Sequence, residues 1–295
     1  MNWTKVKNIL IILFMILNVV LGTYSYSKRY HRYTLSTERI EQVQELLQTN
    51  QIKMTGKIVS SFYPMSKLKI ELGKYEDITL IERIFNDSQM IPSIESHGRR
   101  YVKGKEELWI SRQEGNMVGV ISYTNPDGRG RLKSLAYEDV KKVGDQFVKE
   151  ITSGKGKFVI DEQGTTQEGY RLSYKEVYKG WRLFNSTVDI VLTEKGVVWG
   201  QLLRYQPIRF HGEKRDIYPP DEVLLNFIYF IREQYPVEPI TIVKMDLGYD
   251  AGTRDGTRDI YGIAVPYYRI ILETGQIFYI NGYTNEIKQD DTQGI

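Results

Sequence analysis

The sequence predicts an α+β protein: an apolar N-terminal helix, then antiparallel sheets each covered by a helix. Three observations carry this. There are 22 Tyr but only three Ala (Ala136, Ala251, Ala264) in 295 residues, and Tyr suits half-buried strands while Ala suits helices. One long apolar run, Asn8 to Tyr26, stands near the start. Beyond it, stretches with helical apolar spacing alternate with strand-like runs punctuated by Gly turns.

The apolar run reads as a membrane anchor. Its core, Ile9 to Leu21, has no charge, and the Gly-Thr-Tyr-Ser-Tyr tail brings it to about the length a bilayer requires. Trp3, Tyr24 and Tyr26 flank it as interfacial aromatics, and Lys5 and Lys7 precede it. A cleaved signal peptide is the competing reading, but no A-x-A-like site follows. A buried core helix is the other, and it seldom lacks a polar face over thirteen residues. Basic residues before and after the span nearly tie, so orientation rests on the usual single-pass outcome, a short N-terminus inside and a long body exported. Asn18 sits near the middle of the span. A side-chain amide in hydrocarbon has no water partner and favours a partner on another helix.

In the body, Ser36 reads as an N-cap before Ile40, Val43, Leu46 and Leu47. Strands are expected at 53–60 and 67–72, and a short helix from Asp77. Gln113-Glu114-Gly115-Asn116 marks a hairpin turn. Asn125-Pro126-Asp127-Gly128-Arg129-Gly130 is a turn cluster and the expected domain boundary. A helix is expected over 135–151, with Val140, Val143, Phe147, Val148 and Ile151 as its stripe. Four strands follow within 156–206. Pro219-Pro220-Asp221 then starts a well-buried helix to about Gln234, followed by strands near 239–248, 259–273 and 276–288. Glu194-Lys195-Gly196-Val197-Val198-Trp199 matches Glu273-Thr274-Gly275-Gln276-Ile277-Phe278, each after a helix and a strand, so two copies of a helix-then-meander unit are expected. The expected organisation is 1–33 anchor, 34–130 first subdomain, and 131–295 second subdomain with both repeats.

Composition excludes several functions. Without cysteine there is no disulfide framework, thiolate metal site or cysteine nucleophile, and the three His lack metal-ligand spacing. Residues 1–33 hold five of the 40 Lys and Arg and no acid, so the body carries 35 basic against 37 acidic residues. That gives no electrostatic case for nucleic acid. No nucleophile elbow, phosphate loop, zinc or dinucleotide motif occurs. Ser153-Gly154-Lys155-Gly156-Lys157 follows a helix, so its amides are wrongly placed for phosphate. The carboxylate pairs Glu106/Glu107, Asp221/Glu222 and Asp290/Asp291 read as solvated charge. Asp246, Asp250, Asp255 and Asp259 are the best oxygen ligands for calcium, yet Arg254 and Arg258 interleave them and a polar loop is the plainer reading. No catalytic, cofactor or metal residue is therefore assigned, and no enzyme is expected. Of the aromatics Tyr205, Phe210, Tyr218, Tyr261, Tyr267, Tyr268, Tyr279 and Tyr283, most are expected in the core and some on a partner surface.

The opening MNWTKVKNILIILFMILNVVL, with Trp3, Lys5, Lys7 and a polar residue inside the Ile/Leu-rich span, resembles the YycI family of single-pass regulators of the WalK sensor kinase. Trp181-Arg182-Leu183-Phe184 and Tyr268-Arg269-Ile270-Ile271, with the hairpins that follow, are similar to the helix-plus-sheet units of YycI, YycH and PepSY bodies. The resemblance implies a cytoplasmic N-terminus, an exported body, no catalytic residues or cofactor, and a role in cell-wall regulation. Its implied partners are the sensor histidine kinase and a YycH-like sister regulator, in a homo- or hetero-oligomer. Phe14, Met15, Leu17 and Asn18 are the expected contacts in the membrane, and Trp3, Lys5, Lys7, Tyr24 and Tyr26 the interface residues. The alternative function is a PepSY-like inhibitor or chaperone of an exported wall hydrolase or protease.

Overall fold

The computed structural model describes residues 3–112, 118–251 and 261–290. In chain order the elements are α1 (Trp3–Arg32), α2 (Thr37–Thr49), β1 (Ile52–Met54), β2 (Met65–Leu72), α3 (Asp77–Phe85), β3 (Ser93–Glu95), β4 (Gly98–Lys103), β5 (Glu106–Arg112), β6 (Val118–Arg129), α4 (Tyr137–Ile151), β7 (Phe158–Thr166), β8 (Gly169–Tyr178), β9 (Trp181–Thr193), β10 (Gly196–Leu203), β11 (Tyr205–Arg215), α5 (Pro220–Gln234), β12 (Ile240–Asp250), β13 (Tyr261–Leu272), β14 (Ile277–Asn281) and β15 (Ile287–Gln289). The fold is α+β, and its sheet pairing is mostly antiparallel, β1 and β9 each meeting β12 in parallel.

Two compact units form. One comprises 1–65, 215–246 and 268–295; the larger comprises 66–214 and 247–267. The expected boundary at 130/131 falls inside the larger unit. There Asn125–Gly128 is not a linker but a turn-like bulge within β6, whose pairing with β10 runs through Ile121↔Leu202, Tyr123↔Gly200 and Thr124↔Trp199 and resumes at Arg129↔Val197.

In the larger unit the strands run β3-β4-β5-β6-β10-β9-β8-β7, all antiparallel. This order is two meanders joined at their last strands. Side chains alternate across a strand, so one cross-strand row collects Ile110, Ile121, Leu202, Val188 and Tyr174 on one face. On that face α3 contributes Leu80, Ile81, Ile84 and Phe85, and α4 contributes Val140, Phe147, Val148 and Ile151, to one buried cluster. The close approach of α4 needs glycine twice. A Cβ on Gly144 would stand 2.7 Å from the Tyr174 hydroxyl, and one on Gly200 would stand 2.6 Å from the Phe147 ring.

The smaller unit covers its strands with α5, whose Phe227 and Phe230 meet the Phe278 ring of β14 at 5.3 and 6.0 Å. Pro220 sits in the first turn of α5, where its missing N–H costs nothing. Buried Asp221 beside it pairs with Arg39 of α2. Ser36 caps α2 by accepting from Arg39 N at 3.3 Å.

The helix-then-meander unit occurs three times: α3 with β3–β6, α4 with β7–β10, and α5 with β12–β15. The glycines of the matching hairpins, Gly196 and Gly275, have φ of 108° and 87°. A backbone need that glycine meets best is therefore what made the second and third copies visible in sequence.

Candidate functional site

The anchor residues lie on α1. Val6–Lys28 is long and apolar enough to cross a membrane, and none of it is buried against the body. Trp3 and Tyr24 stand 21 residues apart, about 32 Å along a helix, which matches a hydrocarbon core of about 30 Å. Trp3, Lys7, Tyr24 and Tyr26 are exposed; Lys5 lies in the first turns of the same helix. Phe14, Met15 and Asn18 share one face at spacings of three and four. Leu17, expected with them, borders that face, three residues after Phe14 and about 100° from Asn18. All four are exposed.

Two polar side chains of the span behave differently. Thr23 Oγ1 donates within its own helix, reaching the Val19 and Val20 carbonyls at 3.0 and 2.9 Å. No partner reaches the Asn18 amide among the described residues. In hydrocarbon that amide is the group left to seek another helix.

The anchor joins its unit without a loose linker. No Gly or Pro occurs between Thr23 and Ser36, and α1 runs to Arg32. Tyr33 then donates to Asp216 Oδ1 at 3.1 Å, and Arg32 pairs with Asp216 Oδ2 at 3.0 Å. The Tyr33 ring meets Phe62 edge-on at 6.0 Å. Backbone bonds from Phe62 N to Tyr33 O and from Leu35 N to Ser60 O fix the segment. The ion pair is well exposed, so it contributes at most about 1 kcal/mol; the backbone bonds and rings do more to set the exit direction of the helix.

The carboxylates considered for chemistry are occupied in other ways. Glu106 accepts from Tyr123 at 2.7 Å and from Arg129 at 3.1 Å. Asp246 is clamped by Arg269, Nε to Oδ1 at 2.9 Å and Nη2 to Oδ2 at 2.6 Å. Among the described residues no group of three or more His, Cys, Asp or Glu could hold a metal. Asp255 and Asp259, the repeated Gly-Thr-Arg-Asp segments, the Gln113–Asn116 turn and Asp291 lie outside the described residues. Of the aromatics, Tyr205, Tyr267, Tyr268 and Tyr279 are buried, whereas Tyr218 is exposed.

Sequence reasoning missed a second clamp. Arg204 Nε and Nη2 donate to Glu176 at 2.9 and 2.7 Å, and Ser186 donates to the same carboxylate at 2.8 Å. Arg204 and Glu176 are both nearly inaccessible. Gly156, from the segment that superficially suggests a phosphate loop, lies over this pair. Its φ is 79°, and a Cβ there would stand 2.4 Å from Glu176 Oε1. That segment thus shields a structural ion pair. Lys155 reaches across to the Lys74 carbonyl at 2.7 Å.

Beside the clamp, burial pushes the Tyr75 hydroxyl from 10.0 up to about 12, with Arg204 partly opposing. Burial raises Tyr123, Tyr174 and Tyr268 as well. A raised folded-state value favours the neutral phenol in the fold. The associated stability is therefore complete below pH 10 and is lost as pH rises through 12. Urea midpoints are expected to hold steady to about pH 9 and then fall, with tyrosinate absorbance rising alongside unfolding. A flat midpoint between pH 10 and 12 would contradict the burial of these hydroxyls.

No family model matches the sequence, and no curated protein does. Several solved structures are similar, two of them as follows. A crystal structure of an uncharacterized protein from Eubacterium rectale aligns at a TM-score of 0.50 and 11% identity, covering 81% of this chain and 90% of that one. The Bacillus megaterium YpeB C-terminal domain aligns at a TM-score of 0.41 and 12% identity, covering 74% and 100%. At 11% identity the first likeness is one of fold.

Proposed function

We propose that this protein is a membrane-anchored, YycI-like regulator of a sensor histidine kinase in a two-component system governing cell-wall metabolism. It is not an enzyme. It works by contact, through its transmembrane helix and its exported body, with a short cytoplasmic N-terminus and a YycH-like sister regulator beside it. The observation that carries this reading is the unbroken passage from an exposed apolar helix into a folded unit. The opening residues Trp3, Lys5, Lys7 and Asn18, which resemble the family's, support it. A body that binds a partner or cue would shift the pose of α1 against the kinase helices. A differential contact of about 1–3 kcal/mol is enough to bias a two-state kinase usefully.

The test is crosslinked affinity capture from native membranes, comparing the natural chain with one whose residues 9–21 are replaced by an unrelated Leu/Ala helix. The expected result is a sensor kinase or sister regulator recovered with the natural span and lost with the replacement. Equal recovery from both would overturn the anchor contact. Recovery of a wall hydrolase or protease in its place would support the PepSY-like inhibitor or chaperone reading.

A further inference from the structure

A cleft of about 490 Å³ opens in the larger unit between the end of β8 and the start of β11. Its lining includes the Glu176–Arg204 clamp, which is internally neutral, and Lys157, Tyr178, Gln206 and Ile208. The Tyr178 hydroxyl donates to the Ile208 carbonyl at 3.4 Å. Beyond the cleft an aromatic shelf continues: Tyr178 and Phe210 lie 5.6 Å apart, and Lys179 Nζ stands 5.3 and 5.6 Å from their ring centroids.

The charges here are unbalanced. Glu71, the other acid at the cleft, already accepts from Lys74 at 3.2 Å and from Gln206. Lys157 and Lys179 are exposed and have no carboxylate partner among the described residues. This local excess belongs to a body of 35 basic and 37 acidic residues. A solvated lysine needs no partner, but two of them beside a half-exposed aromatic pair and an exposed Ile208 form a mixed basic and apolar surface.

Shape narrows the occupant. β11 pairs only with β2 among the described strands. Pro207 lacks an N–H, Gly212 has a φ of 75° and the Ile208 carbonyl already accepts from Tyr178, which interrupts a backbone ladder along this strand. Recognition then falls mainly on side chains. We infer that this strip docks an extended acidic segment of a partner protein, its carboxylates on Lys157 and Lys179 and an apolar side chain against Tyr178, Ile208 and Phe210. The inference holds whether or not the anchor touches a kinase.

The experiment uses the full chain in neutral-lipid nanodiscs and a fluorescein-labelled octapeptide of alternating Glu and Tyr, read by anisotropy. Saturable binding that weakens with salt is expected. Lys157→Glu with Lys179→Glu should weaken it by about tenfold or more. Arg209→Glu is the control, because Arg209 alternates onto the opposite face of β11 from Ile208 and Phe210. If the double charge reversal lowers the melting temperature, Lys157→Gln with Lys179→Gln replaces it and should still weaken binding. Absence of saturable binding, equal binding of a Lys/Tyr octapeptide, or equal loss in the Arg209 variant would overturn the inference.

Discussion

Glu176→Ala is expected to destabilise the larger unit by about 3–5 kcal/mol, because it leaves a buried guanidinium without its counter-ion. Arg204 is only 6% exposed and spends two of its N–H groups on this one carboxylate. Ser186 loses its acceptor in the same step. The loss is larger than a surface pair would give, since both charged groups are nearly inaccessible in the fold. Urea unfolding followed by tryptophan fluorescence measures it. The informative companion is Glu176→Leu with Arg204→Met, which removes both charges and keeps apolar volume. It should recover most of the loss, because an ion pair taken out of water is worth little more than a good apolar contact. A Glu176→Ala cost below about 1 kcal/mol would mean that solvent reaches the clamp.

Arg129→Ala is expected to cost about 3 kcal/mol, through charged hydrogen bonds that each contribute about 1.5–3 kcal/mol without adding fully. Arg129 Nε donates to Glu150 of α4 at 2.8 Å, and Nη1 to Glu106 of β5 at 3.1 Å. The same guanidinium donates to the Ile84 and Arg83 carbonyls at 2.5 and 3.0 Å. Those carbonyls belong to the last turn of α3, which has no partners of its own within the helix. One side chain thus ties both helices to the sheet. Arg129→Lys keeps the charge but not the fork, so it should fall between the wild type and alanine. Two-state urea curves for the three proteins decide it. An alanine variant as stable as the lysine one would show that the fork geometry contributes nothing.

Arg129 also shows where sequence reading stopped. Asn125–Gly130 has the composition of a linker, and local chemistry favours a turn there. The turn does form, with Asn125 Oδ1 accepting from Asp127 N at 3.1 Å and Gly128 at a φ of 74°. It is a bulge inside β6, however, because pairing with β10 resumes beyond it at Arg129↔Val197. Where the signal was local, reading succeeded. Ser36 capped its helix, Pro219-Pro220-Asp221 opened α5 where expected, and the stripe from Val140 to Ile151 faces the core. The first helix-then-meander copy escaped because its α3 is only nine residues long and its hairpins lack the Glu-x-Gly signature. The clamps escaped for another reason. Glu176 and Arg204 are 28 residues apart, and nothing in either neighbourhood shows that folding will bury both. Asp246 looked like an oxygen ligand because the sequence shows an acid but not the Arg269 that the sheet brings to it. The anchor was legible throughout, since a bilayer asks for length and apolarity and both are written locally.

The junction of β6 with β10 has a consequence for how the chain is made. β6 ends at Arg129 and β10 begins at Gly196, so about 70 residues must be synthesised before the partner exists. At roughly 5–20 residues per second this leaves β6 with one open edge for about 3–14 s. Its other edge can close at once on β5, giving a half-built sheet whose exposed ladder invites any passing strand. The vulnerable species is thus a newborn chain, and substitutions that slow the second meander should show first as lost yield, before any change in the finished protein.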